Sequence, residues 1–141
     1  MEFAPTELFT PKEKAQLPLV RRGMYEVGNN PDGGTAYKLI HTAVVPLAVK
    51  TGTAQVVGIS QTAKKRMKEA DMDYFHRSHA WMTSFGPYDK PQYAVTVLVE
   101  HGGGGGSAAG PVIMQIYEKL AQMGYIDANA TTSKDSVKKT K

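Results

Sequence analysis

The stretch Val44 to Gly58 is apolar and β-prone, and it carries Ala48-Val49-Lys50-Thr51-Gly52-Thr53-Ala54-Gln55 at its centre. A run of this make-up belongs in a strand and not in a mobile loop. Strands send alternate side chains to opposite faces, so Lys50 and Gly52 share one face while Thr51 and Thr53 share the other. Gly52 has no side chain, which leaves room for a second extended chain to pair closely with the backbone. A cation, two hydroxyls and a bare backbone edge together suit a peptide that ends in a carboxylate. The triplet alone is equally compatible with an ordinary strand end, so its surroundings decide.

The chain has 141 residues, enough for one domain with a modest core. There is no apolar run long enough for a transmembrane helix, and Met1-Glu2-Phe3-Ala4-Pro5 lacks the basic-then-apolar order of a signal peptide. Without cysteine there is no disulfide or thiolate chemistry. The net charge is +4, and half of it sits in the tail, where Lys134, Lys138, Lys139 and Lys141 face Asp127 and Asp135. No aromatic-interleaved basic patch accompanies the charge, so it is read as solvation and not as a nucleic-acid surface.

Residues 1–16 are polar and punctuated by proline, a lead-in without a core. Pro18 suits the first turn of a helix, and Val20, Met24 and Val27 form its apolar stripe through Asn29. Arg21, Arg22 and Glu26 take its wet side, and Gly23 marks close packing against a neighbour. Asn29 to Gly34 is a concentrated turn signal. His41 reads as a structural or surface histidine, and Pro46 as the start or edge of the following strand. The mixed-charge excursion Ile59 to Arg77 reads as a solvated connection, the alternative being a lid.

His79 to Phe85 and Gln92 to Glu100, joined by Gly86-Pro87-Tyr88-Asp89-Lys90-Pro91, read as an antiparallel hairpin. The second run is apolar on both alternating sets, which implies cover on both faces. Trp81 reads as a core anchor. Gly102 to Gly106 reads as a flexible hinge; it lacks the Lys-Ser/Thr that closes a phosphate loop, having Ser107-Ala108-Ala109 instead. Pro111 is expected to open a final helix with Val112, Ile113, Ile116, Leu120 and Met123 buried and Gly124 terminating it. Beyond Asp127 the composition cannot offset ordering entropy, so a disordered basic tail is expected over 127–141. The sequon Asn129-Ala130-Thr131 lies within it.

In collinear order, Gly23-Met24-Tyr25, Asn30 to Ala36, Lys50 to Val56, Met82 to Tyr88 and Val99 to Gly103 resemble the C-terminal part of the transpeptidase domain of class B penicillin-binding proteins. The elongation-specific type, penicillin-binding protein 2, is the nearest likeness. The resemblance implies a mixed α/β (α+β) fold with an antiparallel sheet covered by helices. It implies three segments: a lead-in over 1–18, the C-terminal part of a transpeptidase domain over 19–126, and the tail.

It also implies a serine-type D,D-transpeptidase that binds penicillin and other β-lactams and cross-links peptidoglycan stem peptides through an acyl-enzyme, with no cofactor or metal. Carried onto this chain, Lys50 and Thr53 are the catalytic residues, and Thr51, Gly52 and Thr53 bind the D-Ala-D-Ala terminus. The Thr53 backbone N–H becomes one half of an oxyanion hole. The implied partners are the rest of the transpeptidase domain and proteins of a cell-elongation complex, with the parent anchored in the inner membrane and this domain in the periplasm.

The family's S-x-x-K and S-x-N motifs precede Lys-Thr-Gly, and neither occurs in that position here. Ser136-Val137-Lys138-Lys139 fits S-x-x-K but follows the triplet. The chain is therefore expected to be a piece of a longer protein and inactive alone. The alternative is a non-catalytic peptide-binding or scaffold module of a cell-elongation complex. A phosphate-binding enzyme is disfavoured by the missing P-loop lysine.

Overall fold

A computed structural model describes residues 6–58 and 67–127. The expected disordered tail beyond Asp127, the Ser136 motif, the sequon and the first half of the Ile59–Arg77 excursion lie outside these residues. Along the chain come helix α1 (Pro11–Lys14), helix α2 (Leu17–Asn29), helix α3 (Tyr37–Ile40), strand β1 (Ala48–Ala54), strand β2 (His79–Gly86), strand β3 (Tyr93–Val99) and helix α4 (Gly105–Gln122). The short α1 forms because Thr10 and Glu13 cap it reciprocally, each side chain binding the other's backbone N–H. It buries nothing.

The three strands make one antiparallel sheet in the order β1-β2-β3. Their register places Lys50 opposite Thr83 and Thr83 opposite Thr96, with Gly52, Trp81 and Leu98 in the next row. Ala80, Met82 and Ser84 of β2 face inward, where Ala109, Ile113 and Tyr117 of α4 pack on them; all six are buried. The spacing of Gly105, Ala109, Ile113 and Tyr117 is a strict i, i+4 stripe, so one line of the helix meets the sheet. Tyr117 brings a hydroxyl into this core and satisfies it: its OH donates to the Tyr93 carbonyl at 3.2 Å and accepts from Ser84 Oγ at 3.4 Å. Burial pushes the Tyr117 phenol above its usual range, with the Ser84 bond opposing. Helix α2 packs along β1, and Asn29 Nδ2 donates to the Leu47 carbonyl at 2.8 Å just before the strand begins.

The expected fold class is the observed one, and the helix ending at Asn29, the hairpin and the terminating Gly124 (φ +76°) stand where the sequence puts them. Six local expectations are overturned. Among the described residues Gly23 has no close neighbour, since a Cβ there would meet no atom outside its own helix within 4 Å; the close approach is at Gly28, where a Cβ would come 2.5 Å from Ile40 Cδ1. Trp81 is 40% exposed, because the strand's alternation puts Ala80 and Met82 on the packed face. For the same reason β3 is covered on one side only: Tyr93, Val95, Val97 and Val99 are half-buried, whereas Ala94, Thr96 and Leu98 are exposed among the described residues.

The glycine run is packed and not a hinge: Gly103 N–H donates to the Ser78 carbonyl at 2.8 Å, and Gly105 is buried. Helix α4 accordingly begins at Gly105 and contains Pro111 inside it. Contact with the sheet starts the helix where propensity alone would not. Its buried stripe includes Tyr117 and leaves Val112 and Met123 exposed. His41 is exposed and its Nδ1 lies 2.7 Å from the Tyr37 carbonyl, so it serves the local turn.

Candidate active site

Strand β1 changes character in its middle. Ala48 and Val49 are fully buried, Lys50 is exposed, Thr51 and Gly52 are half-buried, and Thr53 and Ala54 are exposed. Only one edge of β1 is paired among the described residues, to β2. The other edge offers backbone donors and acceptors of the kind an extended peptide takes up by strand addition.

The two side-chain sets separate as the sequence predicts. Lys50 stands on the open face of the sheet, in one row with Thr83 and Thr96, whose hydroxyl oxygens are 2.8 Å apart. Its Nζ donates to the Thr51 carbonyl at 2.6 Å, which holds the ammonium beside the strand and leaves two further donors. Thr51 points to the packed face, its Oγ1 3.5 Å from Thr35 Oγ1 at the end of the Asn30–Thr35 turn. The Thr53 hydroxyl accepts a hydrogen bond from the Gly105 N–H at 3.2 Å. A hydroxyl that accepts from the protein still has its own proton to give, so Thr53 can donate to an anion.

Gly52 is not required by packing against the sheet, since a Cβ there would make an ordinary 3.4 Å contact with Trp81 Cβ. The backbone that does approach Gly52 closely is the chain's own Gly105. Sequence reasoning missed Gly105 and Thr35. The signal available for Gly105 was its place between a strand and a helix that must return across the sheet.

Downstream of β1, the described half of the excursion is anchored as well as solvated. Ser78 donates from N and Oγ to the Glu69 carboxylate at 2.8 and 2.7 Å. His101 N–H donates to His79 Nδ1 at 2.9 Å, with Tyr74 and Phe75 against the His101 ring. Among the described residues no cluster of His, Asp and Glu could hold a metal ion.

The family model of the penicillin binding protein transpeptidase domain matches residues 8–118. This chain belongs to that family. A Salmonella typhimurium peptidoglycan D,D-transpeptidase, MrdA, is 36% identical over 102 residues, covering 72% of this chain and 16% of the relative. The penicillin-binding protein PBP2 of Helicobacter pylori, solved in complex with MreC, is 47% identical with a TM-score of 0.70, covering 84% of this chain and 19% of that one. Pseudomonas aeruginosa PBP2 is 33% identical with a TM-score of 0.59, covering 77% and 19%. The chain thus spans less than a fifth of the length of these penicillin-binding relatives, and what it shares with them is a segment of the transpeptidase domain that includes β1 and the hairpin.

Proposed function

We propose that this chain is the C-terminal part of the catalytic domain of a longer peptidoglycan D,D-transpeptidase, in which the free edge of β1 binds a stem peptide ending in D-Ala-D-Ala, or a β-lactam that mimics it. The observation that carries the reading is the opening of β1 at Lys50: from there the strand exposes an ammonium, a hydroxyl with a proton to donate, and a backbone edge that no described strand pairs. These are the groups that an anionic, extended acyl donor requires.

In the proposed reaction, a serine supplied by the preceding part of the longer protein attacks the penultimate D-Ala carbonyl and gives up its proton to a base there. The carbonyl oxygen becomes an oxyanion facing the Thr53 N–H. Collapse breaks the peptide bond, the terminal D-Ala leaves with a proton on its nitrogen, and an ester to serine remains. An amine of a second stem peptide then displaces the serine oxygen, which recovers its proton, and the cross-link is made. Lys50 balances the substrate carboxylate and the charge that develops beside it, Thr51 and Thr53 supply hydroxyls, and Gly52 keeps the strand low beneath the peptide.

The 141-residue chain by itself carries out no acyl transfer in this account. Its partners are the remainder of the domain and proteins of a cell-elongation complex, a reading supported by the H. pylori relative solved with MreC. The inner-membrane anchor belongs to the longer protein, whose domain faces the periplasm; no described helix here is long and apolar enough to cross a membrane.

A labelled penicillin tests the proposal. The longer protein is expected to be labelled covalently, its Lys50→Ala variant to lose the label, and the 141-residue chain to stay unlabelled. Labelling of the short chain would refute the assignment of the nucleophile elsewhere. Reversible, carboxylate-dependent binding of a D-Ala-D-Ala peptide with no acylation of the longer protein would favour a non-catalytic module.

A further inference from the structure

We propose that Gly105, at the start of α4, is a positioning residue that sets the orientation of the Gly52–Thr53 peptide. The inference rests on the functional reading above, in which that peptide's N–H receives the oxyanion. Two independent contacts converge on it. A Cβ on Gly105 would overlap the Gly52 carbonyl oxygen, and it would lie 2.8 Å from the Gly52 carbonyl carbon and 2.8 Å from the Trp81 carbonyl oxygen. The Gly105 N–H, for its part, donates to Thr53 Oγ1 at 3.2 Å. One glycine therefore braces the peptide's carbonyl and tethers the side chain of the residue that follows it.

A peptide unit is planar, so the Gly52 carbonyl and the Thr53 N–H turn together. Whatever pushes the carbonyl oxygen tilts the N–H on the opposite edge of β1, where the acyl carbonyl would lie. Glycine is required here by proximity and not by dihedral angle, since Gly105 does not have the positive φ seen at Gly103 and Gly124. The neighbouring Gly106 is different: a Cβ there would meet Leu39 Cδ1 at 2.8 Å, the far end of a flexible side chain that can move aside. The three atoms nearest to a Cβ on Gly105 are all backbone, and backbone held in a sheet moves as a unit. The tight first turn of α4 thus acts as a brace behind the site, on the face opposite Lys50.

The experiment uses the longer transpeptidase that contains this chain, with a penicillin as the acylating probe. Two quantities are read: the acylation rate, and the infrared stretching frequency of the resulting ester carbonyl, which falls when an oxyanion hole polarises the bond. Gly105→Ala is expected to slow acylation by about 100-fold, the scale of losing one oxyanion donor, and to raise the carbonyl frequency. Gly23→Ala, which meets nothing within 4 Å, should leave both unchanged.

Thr53→Val removes the tether without adding bulk. It should raise the frequency in the same direction by less, and Thr53→Ser should restore it. Wild-type acylation and an unshifted band in Gly105→Ala would overturn the inference alone. If Gly105→Ala does not fold, an unshifted band in Thr53→Val overturns it. Failure of the unsubstituted longer protein to acylate at all would overturn the functional reading and this inference with it.

Discussion

The two ends of β1 are built for different purposes. Ala48 and Val49 are fully buried in the part of the molecule where α2 packs on β1, whereas Lys50 to Ala54 lie along an edge that no described strand covers. The change happens within one residue, between Val49 and Lys50. On the proposed reading of the site, stability and chemistry occupy separate halves of one strand, so that each can be altered alone. The first half anchors the strand, and the second is held in place by that anchor and by Gly105.

The largest expected effect is on the open half. Lys50→Ala should lower penicillin acylation of the longer transpeptidase by about 1,000-fold, in the range for removing a group that manages charge and protons. Its melting should be unchanged, because an exposed side chain contributes within about 0.5 kcal/mol. A large fall in stability, measured by denaturant unfolding, would break the separation.

On the buried half the expectation reverses. Val49→Ala removes two methyl-sized groups from a fully buried position and should cost about 2 kcal/mol of stability. The acylation rate per folded molecule should be preserved. Equal losses of rate and stability would merge the two halves into one.

Tyr117→Phe sharpens the comparison from beneath the sheet. Loss of the bonds to Tyr93 and Ser84 should cost about 1 kcal/mol. The raised phenol also sets a pH dependence. A folded-state value above the unfolded one means that the native state holds the proton more tightly, so this contribution is whole below about pH 10 and is lost as the pH climbs past it. Alkaline unfolding curves of the wild type and Tyr117→Phe should converge above pH 10, and parallel curves would contradict the assignment. The smallest effect belongs to the exposed Arg22–Glu26 pair on α2; Glu26→Gln should change stability by less than about 0.5 kcal/mol.

The parts of this molecule legible in the sequence are those governed by local rules. The helix ending at Asn29, the hairpin, the strand carrying Lys50 and the stop at Gly124 each follow from short-range patterning, and the Lys-Thr-Gly strand with its flanking stretches was enough to place the chain in its family. What was not legible depends on which atoms meet across the fold. Trp81 looks like an anchor by size, yet strand parity puts Met82 inside. Gly102 to Gly106 look like a hinge by composition, yet three-dimensional packing makes Gly105 the contact that β1 rests on. Gly23 and Gly28 are alike in the sequence, and what distinguishes them is that Ile40 and Val49 close on Gly28.

The account stands most directly on a structure of the longer transpeptidase acylated by a β-lactam. It predicts the ester carbonyl oxygen within about 3 Å of the Thr53 backbone N–H, with the ligand lying along the free edge of β1 and its carboxylate toward Lys50 and the Thr53 hydroxyl. An acyl group bound on another element, with that edge of β1 covered by protein, would contradict it.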